Sequence, residues 1–353
     1  MAKNRKQVPQ PPKVDDFRSF TTSASGGRWA TSQLKALAAA GKDLTTAVLR
    51  TADTLRHEDW KFFDDVLQQE ALIRLVGVGD LISRGLTKSV PNSLGKMVYD
   101  YEKVTFMDPA EVSLDGVSRT PNDVQEFSLS GLPLPITHKD FFLNLRQLSA
   151  SRNSNTPLDT IQAATAGRVV SEKAEQMLFQ GGKTFGGLTI YGYTTFPQRS
   201  TGDFNGGKSW DDATKAGTSY LTDVLNALTR MSGQRQYGPF IIYVPTDAGV
   251  IIEGDFEPLS ANPITIRERI LKISQIADIR VADQLPTGNV IFSQLTADNV
   301  VWVQGEPLQT VQWDEGGGFT INFKAFQIAV PLFRADAAGR SGTLHMSDAG
   351  TPF

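Results

Sequence analysis

The run TPLDTIQAATAGRVVSEKAEQMLFQGG, residues 156–182, constrains this chain more than any other. Thr156 is placed to cap a helix, Pro157 stands at the first helical position where its missing N–H costs nothing, and Asp159 lies close to the positive end of the helix dipole. Beyond them Ala163, Ala166, Val170, Ala174 and Met177 form an apolar stripe, rich enough in alanine to let a neighbouring element approach closely. Gly181 and Gly182 stop the pattern. The spacing predicts a helix over 157–181, about six or seven turns and roughly 35 Å long at ~1.5 Å per residue. A proline-rich extended run, GLPLPI at 131–136, stands ahead of it. Such a helix is long enough to brace a whole domain.

Composition narrows what can surround that helix. The chain has 353 residues, 40% hydrophobic and 21% charged, which fits a folded protein of about two domains at ~150 residues each. It has no cysteine, which excludes disulfides, thiolate metal sites and cysteine nucleophiles. The longest apolar runs, LIRLVGVGDLI (72–82) and PFIIYV (239–244), fall short of the ~20 residues that span a bilayer, and the N-terminal charges are followed by no apolar signal segment, so no membrane partner is expected. The formal charge of −3 argues against avid nucleic-acid binding by the molecule as a whole. The charge is uneven, however. MAKNRKQVPQPPKV carries Lys3, Arg5, Lys6 and Lys13 before the first acid, Asp15, while Pro9, Pro11 and Pro12 oppose a regular helix. Residues 1–27 read as a mobile basic arm, either a contact for nucleic acid or a partner, or a solubilising terminus.

Elsewhere the hydrophobic period changes along the chain. In HEDWKFFDDVLQQEALIRL (57–75) Trp60, Phe63, Leu67, Ala71 and Leu75 recur at helical spacing, and Gly77 with Gly79 end the pattern. His57 and Glu58 match the first half of the zinc-protease motif, but no second histidine follows at four residues, and only His138 and His345 remain, so no metal site is expected. From 96 to 136 the pattern alternates. KMVYDYEKVTFMD and VQEFSLSGLPLPI flank Asp115-Gly116 and Pro121, and the pair reads as a long hairpin. Its runs carry Met97, Tyr99, Tyr101, Val104 and Phe106, then Val124, Phe127, Leu129, Leu132 and Leu134. A two-stranded ribbon is marginal alone, so another surface, such as a neighbouring subunit, must support it.

The C-terminal half reads as alternating helix and strand. DDATKAGTSYLTDVLNALTRMSG is expected to be a helix capped by Ser209, with Leu221, Val224, Leu225 and Leu228 on one face and Gly233 as its stop. PITIRERILKI is a second helix, and PFIIYVP, IADIRVA, NVIFSQL and NVVWVQG are strands. LQTVQWDEGGGFTINFKAFQIAVPLF is strand, turn, strand, with Phe319, Ile321 and Phe323 on one face, and RADAAGRSGTLHMSDAGTPF is expected to be a flexible tail. The fold class is α+β.

One segment fits a catalytic pattern. GDFNGGKS matches the phosphate-loop spacing, with Gly202 and Gly207 framing the loop, Lys208 for the outer phosphates and Ser209 for magnesium. Against it, the polar run PQRST precedes Gly202 where a buried strand is needed, and Asp203, Asp211 and Asp212 crowd the anion site with negative charge. The match is read as false: no cofactor, no catalytic residue and no enzymatic activity are expected, a nucleotide-binding enzyme using this loop being the competing possibility.

The order of parts resembles the major capsid proteins of tailed phages, the Hong Kong 97 type fold, in the branch close to encapsulins. The resemblance rests on LRHEDWKFFDDVLQQEALIRLVGVGDL, LPLPITHKDFFLNLRQL, PLDTIQAATAGRVVSEKAEQMLFQG and LTIYGYTTFP in that order, and covers about 50–335. It implies an N-terminal arm (1–50), a P-domain (51–85, 137–189 and 306–335) holding the spine helix 157–181, an E-loop hairpin (86–136), an A-domain (190–305) and a C-terminal tail (336–353). It further implies a homo-oligomer of pentamers and hexamers enclosing double-stranded DNA without sequence-specific contact. The shell would be a virion component assembled in the host bacterial cytoplasm, open to scaffold, portal and decoration proteins. The alternative within the family is an encapsulin shell housing a protein cargo; the longer chain, the basic arm and the extended hairpin favour the phage. Asp115, Gly116, Phe106, Phe127, Ala166 and Ala174 are the expected assembly residues.

Overall fold

Period-two alternation in one short strand divides the largest cores. The computed structural model describes residues 75–105, 107, 110, 112, 114, 124–144, 161–257, 264–315 and 320–347. The expected basic arm, most of the helix at 57–75, the caps Thr156, Pro157 and Asp159, and the hairpin positions Phe106, Asp115 and Gly116 lie outside them. In order along the chain the described elements are α1 (Gly77–Ser83), β1 (Thr87–Ser89), β2 (Val98–Val104), β3 (Phe127–Pro133), β4 (Thr137–Asn144), α2 (Ile161–Phe179), β5 (Gly181–Phe185), β6 (Leu188–Tyr191) and β7 (Ser200–Asp203). Then come α3 (Gly217–Gly233), β8 (Phe240–Val244), α4 (Thr246–Ile251), α5 (Ile266–Leu271), β9 (Ile276–Val281), β10 (Asn289–Ser293), β11 (Val300–Glu315), β12 (Thr320–Phe333) and β13 (Thr343–Ser347). Two compact units divide the chain: 1–69 with 138–167 and 308–326, and 70–137 with 168–307 and 327–353.

The larger unit holds a five-stranded mixed sheet in the order β7-β13-β10-β8-β9. β8 is buried along its whole length. Its Phe240, Ile242 and Val244 join Trp210, Tyr220, Val224, Ala227 and Met231 in one core, whereas Ile241 and Tyr243 join Leu178, Phe179, Tyr193 and Trp302 in a second. Successive strand side chains point to opposite faces, so FIIYV must be apolar at every position. In this unit α2 ends against β5 and β6 by close backbone contact. A Cβ on Gly181, whose φ is +60°, would lie 2.2 Å from the backbone nitrogen of Gly192, so only glycine fits there. Among the described residues of the smaller unit, Ala166 and Ala325 are buried beside Phe141 and Leu308, and Phe141 stacks on Phe323 at 5.1 Å. The four-stranded sheet β1-β11-β12-β4 completes the described sheets together with the β2–β3 and β5–β6 hairpins.

Several sequence expectations need correcting. Gly77 and Gly79, read as ending the 57–75 pattern, follow the non-helical Leu75 and Val76 but themselves open a new helix, α1, where Gly77 lets the helix approach Leu178 and Phe179 and a Cβ would lie 2.9 Å from Leu178 Cδ2. NVVWVQG and LQTVQWDE are one continuous strand, β11, with Pro307 inside it. The stretch read as a flexible tail contains β13, an interior strand paired antiparallel to β10 and parallel to β7. Its core side chains are only Leu344 and Met346, while Thr343 and His345 are buried polar residues, and this polar alternation between Gly/Ser-rich flanks disguised it. His345 is satisfied inside the sheet: Arg199 Nε–H donates to Nδ1 at 3.3 Å, and Nε2 lies 2.7 Å from Asn289 Oδ1.

This packing has two testable consequences. Ala174 is 3% exposed inside the second core, so Ala174→Leu should overpack it and lower the free energy of unfolding by ~1–3 kcal/mol in urea titrations. His345 is held at a pKa of about 4, below its ordinary value, by burial and then by the Arg199 charge. Its folded pKa is depressed, so the folded state binds fewer protons, and stability should fall as pH drops from about 6.5 through about 4. His345→Gln should flatten that acid limb of the denaturation midpoint against pH.

Candidate assembly surface

The β2–β3 register sorts the hairpin's apolar residues onto two faces. Tyr99 pairs with Leu132, Tyr101 with Ser130 and Lys103 with Ser128; the alternate pairs are Val98 with Pro133, Asp100 with Gly131, Glu102 with Leu129 and Val104 with Phe127. Tyr99, Tyr101 and Leu132 therefore share one face, and with Leu134 they pack on the cluster of Ile190, Val303, Ile328, Val330 and Leu332. Lys88 and Lys103 lie over the Tyr99 and Tyr101 rings at 5.4 and 5.6 Å. The other face, covered at Pro133 near the root, is bare beyond it. Phe127 is 67% exposed, Leu129 74% and Val104 42%, with Met97 and Val124 exposed beside the strands. The hairpin is anchored at its root and bare toward its tip. Contiguous apolar exposure of this kind is a candidate contact surface. A groove of about 840 Å³ runs beside it, lined by Tyr101, Ser128, Leu188, Tyr191, Pro197 and Phe333 among others.

Of the expected assembly residues that the structure describes, Phe127 stands on this surface and Ala166 and Ala174 do not. Ala166 and Ala174 are each 3% exposed, buried by their own chain, and they act there as close-packing positions. Phe106, Asp115 and Gly116 lie outside the described residues.

The phosphate-loop match has a different geometry from the one its letters suggest. A strand does run into it, because Gly202 lies in β7, contrary to the reading of PQRST as strandless. No helix starts at Ser209, however. α3 begins at Gly217, and residues 209–216 form an irregular wrap in which Asp212 Oδ1 accepts from the N–H and hydroxyl of Thr214, at 2.8 and 2.7 Å. The wrap brings Lys215 and Trp210 inward. Lys215 Nζ pairs with Asp223 Oδ2, Trp210 Nε1–H donates to the same oxygen at 2.9 Å, and the Asn205 N–H donates to Asp223 Oδ1 at 2.7 Å. Both charged side chains are essentially inaccessible. Lys215 also lies over the rings of Phe204 and Tyr220. The loop thus does cradle an anion, but the anion is the protein's own Asp223. Lys208 is exposed and donates to Thr214 Oγ1 at 2.7 Å. The face of α3 is corrected as well: Leu225 is 50% exposed, and Tyr220, Asp223, Val224, Ala227, Leu228 and Met231 form the buried side.

A second buried acid has no counterpart among the sequence expectations. Glu175 is 2% exposed, and its carboxylate accepts the N–H groups of Gly77 at 2.6 Å and Val78 at 3.1 Å. Its place directly after Ala174, beside the apolar stripe, is the one signal the sequence offers. Desolvation outweighs these donors and raises its pKa to about 7.

Antiparallel hairpin, long helix and two-faced sheet in this order define the Hong Kong 97 type capsid fold, a fold that forms protein shells. The virus-like particle from Pyrococcus furiosus superposes with a TM-score of 0.58 over 82% of this chain and 100% of that one, at 16% identity. The capsid of Myoviridae phage XM1 gives 0.55 over 75% and 90%, at 11% identity, and the native GTA particle capsid 0.53 over 76% and 89%, at 8%. A family model described as a family of unknown function, DUF6260, matches residues 48–346, and the chain belongs to that family. In sequence, the type 1 encapsulin shell protein EncA of Myxococcus xanthus is 27% identical over 194 residues, 53% of this chain; the chain spans 60% of that relative's length.

The two lysines near the loop separate its structural from its supposed nucleotide role. Lys215→Met leaves Asp223 buried without its cation and should cost about 3–5 kcal/mol of stability by chemical denaturation. Lys208→Ala, at an exposed position, should change stability by no more than ~0.5 kcal/mol. Calorimetric titration with ATP and magnesium should give no saturable heat with the unaltered protein.

Proposed function

We propose that this protein is the major capsid protein of a tailed bacteriophage, a structural subunit that closes into an icosahedral shell of pentamers and hexamers around double-stranded DNA. The observation that carries the reading is the uncovered apolar face of the hairpin, Val104, Phe127 and Leu129, on a fold whose neighbours are shells. In this proposal the arm comprises 1–50, the P-domain 51–85, 137–189 and 306–335, the E-loop 86–136 and the A-domain 190–305. β13 is assigned to the A-domain because it lies within the same sheet as β7, β8, β9 and β10. The four early cations Lys3, Arg5, Lys6 and Lys13 would meet phosphates or a scaffold partner on the inner surface, while a net acidic subunit otherwise lets DNA pack without sticking. Portal and decoration proteins would be further partners, the virion its location, and the host bacterial cytoplasm its place of assembly.

A second reading is supported by the sequence similarity to EncA: an encapsulin shell enclosing a protein cargo. Purified particles treated externally with nuclease distinguish the two, since the phage reading requires protected DNA in filled particles and the encapsulin reading a co-purifying protein. Monomers or small oligomers in electron micrographs under all assembly conditions would overturn both.

The hairpin itself provides a sharper test. Covering a Phe or Leu side chain contributes ~1.5–3 kcal/mol, and a shell repeats that contact at every subunit. Phe127→Asp with Leu129→Asp should therefore leave a subunit of unchanged melting temperature that elutes unassembled on size exclusion. Normal shells from this variant would place the adhesive contacts elsewhere.

A further inference from the structure

We propose that Glu175 is a pH-responsive latch that fastens α1, the segment from which the hairpin root departs, to helix α2. The geometry supplies a fixed contact at the start of the path to the hairpin. Glu175 takes the first N–H groups of α1, and α1 leads through Leu86, whose carbonyl accepts the Trp302 N–H at 2.8 Å, into β1 and then the hairpin. Gly77 packs against Leu178 and Phe179 of the same helix that carries Glu175, so the polar and apolar contacts of α1 with α2 coincide.

The surroundings make this contact sensitive to a proton. Asp80 of α1 adds a second acid to the cluster, and it accepts from the Tyr243 hydroxyl of β8 at 3.0 Å. Arg280 of β9 reaches Asp80 at 3.8 Å and pairs more closely with Asp278 at 2.8 Å. Tyr193, after β6, completes the ring of titratable groups around the acids, and its hydroxyl is bonded to Ser293. On α2 itself Glu172 is partly exposed and Lys173 exposed. The partly exposed Arg280 thus balances Asp80 rather than Glu175, and burial favours the neutral carboxyl of Glu175.

Linkage sets the direction. With the latch closed, Glu175 has a pKa of about 7; released into water it returns toward the ordinary 4.5. The closed state therefore holds a proton that the open state gives up in this interval, and closure weakens as pH rises from about 4.5 through about 7, then levels off. Between about pH 6 and about pH 8.5 the closing equilibrium should fall by about tenfold. This inference is independent of whether the shell holds DNA or protein.

Hydrogen exchange of the full-length chain, read by mass spectrometry and corrected for the intrinsic pH dependence of exchange, tests it. Peptides covering 75–86 should lose about tenfold in protection from about pH 6 to about pH 8.5, while peptides covering 220–231 of α3 should not follow that profile. In Glu175→Gln the profile over 75–86 should be flat. Equal protection of the unaltered protein at both pH values, or a persisting tenfold change in the Gln variant, would overturn the latch. Asp80→Asn supplies a second arm if the Gln variant does not fold: it removes the neighbouring negative charge, so the midpoint must move to lower pH, and an unmoved midpoint also overturns the proposal.

Discussion

The larger unit depends on β8 being buried on both faces. Phe240, Ile242 and Val244 belong to the core beneath α3, and Ile241 and Tyr243 to the core beside α2. A one-residue slip would exchange these two sets, so the register with β9 and β10 is fixed by shape on both sides at once. Because Tyr243 also donates to Asp80, the strand positions α1 as well as the sheet. The C-terminal part of α2 and the loop at Gly202 to Ser209 are held by elements packed on one face or the other, whereas the hairpin root packs on a separate cluster around Ile190, Val303 and Val330.

Buried charge then refines what apolar packing begins. Lys215 and Asp223 form an ion pair removed from water, an arrangement that seldom adds net stability over an apolar pair of equal volume. Its value here is local. One carboxylate collects the Asn205 N–H, the Trp210 indole and the Lys215 ammonium, which organises about a dozen residues with little secondary structure of their own. Glu175 does the corresponding task at α1, where the first turn presents free N–H groups that need an acceptor in a place closed to water.

These polar anchors also mark where sequence patterning stops being informative. The α2 stripe through Ala163, Ala166, Val170 and Ala174, the β8 run and the hairpin are legible because each has a strong apolar period and clear turn chemistry. β13 is not, since TLHMS is alternately polar and its polar residues are buried by partners far away in sequence, Asn289 and Arg199. The start of α3 is misleading in the sequence because Ser209, read as its cap, is followed by a turn that Asp212 holds through the N–H and hydroxyl of Thr214, and the helix starts only at Gly217. Periodicity reports the apolar half of a fold, whereas a buried His345, Lys215 or Glu175 is explained only by what lies across from it.

In the proposed shell, the hairpin would serve both folding and association without conflict. Its parity gives the tyrosine face to the subunit's own core and leaves Val104, Phe127 and Leu129 outward, interleaved with Asp100 and Glu102 across the ladder. The acids on the bare face keep it hydrated in a free chain and oppose indiscriminate face-to-face association, because like charges repel when two such ribbons meet. A partner surface that covers the apolar side chains while leaving both carboxylates at a wet margin, or meeting them with cations, escapes that repulsion. In the proposed shell, selectivity for such a surface would come from the charge pattern and adhesion from the apolar one, both on the same seven-residue strands.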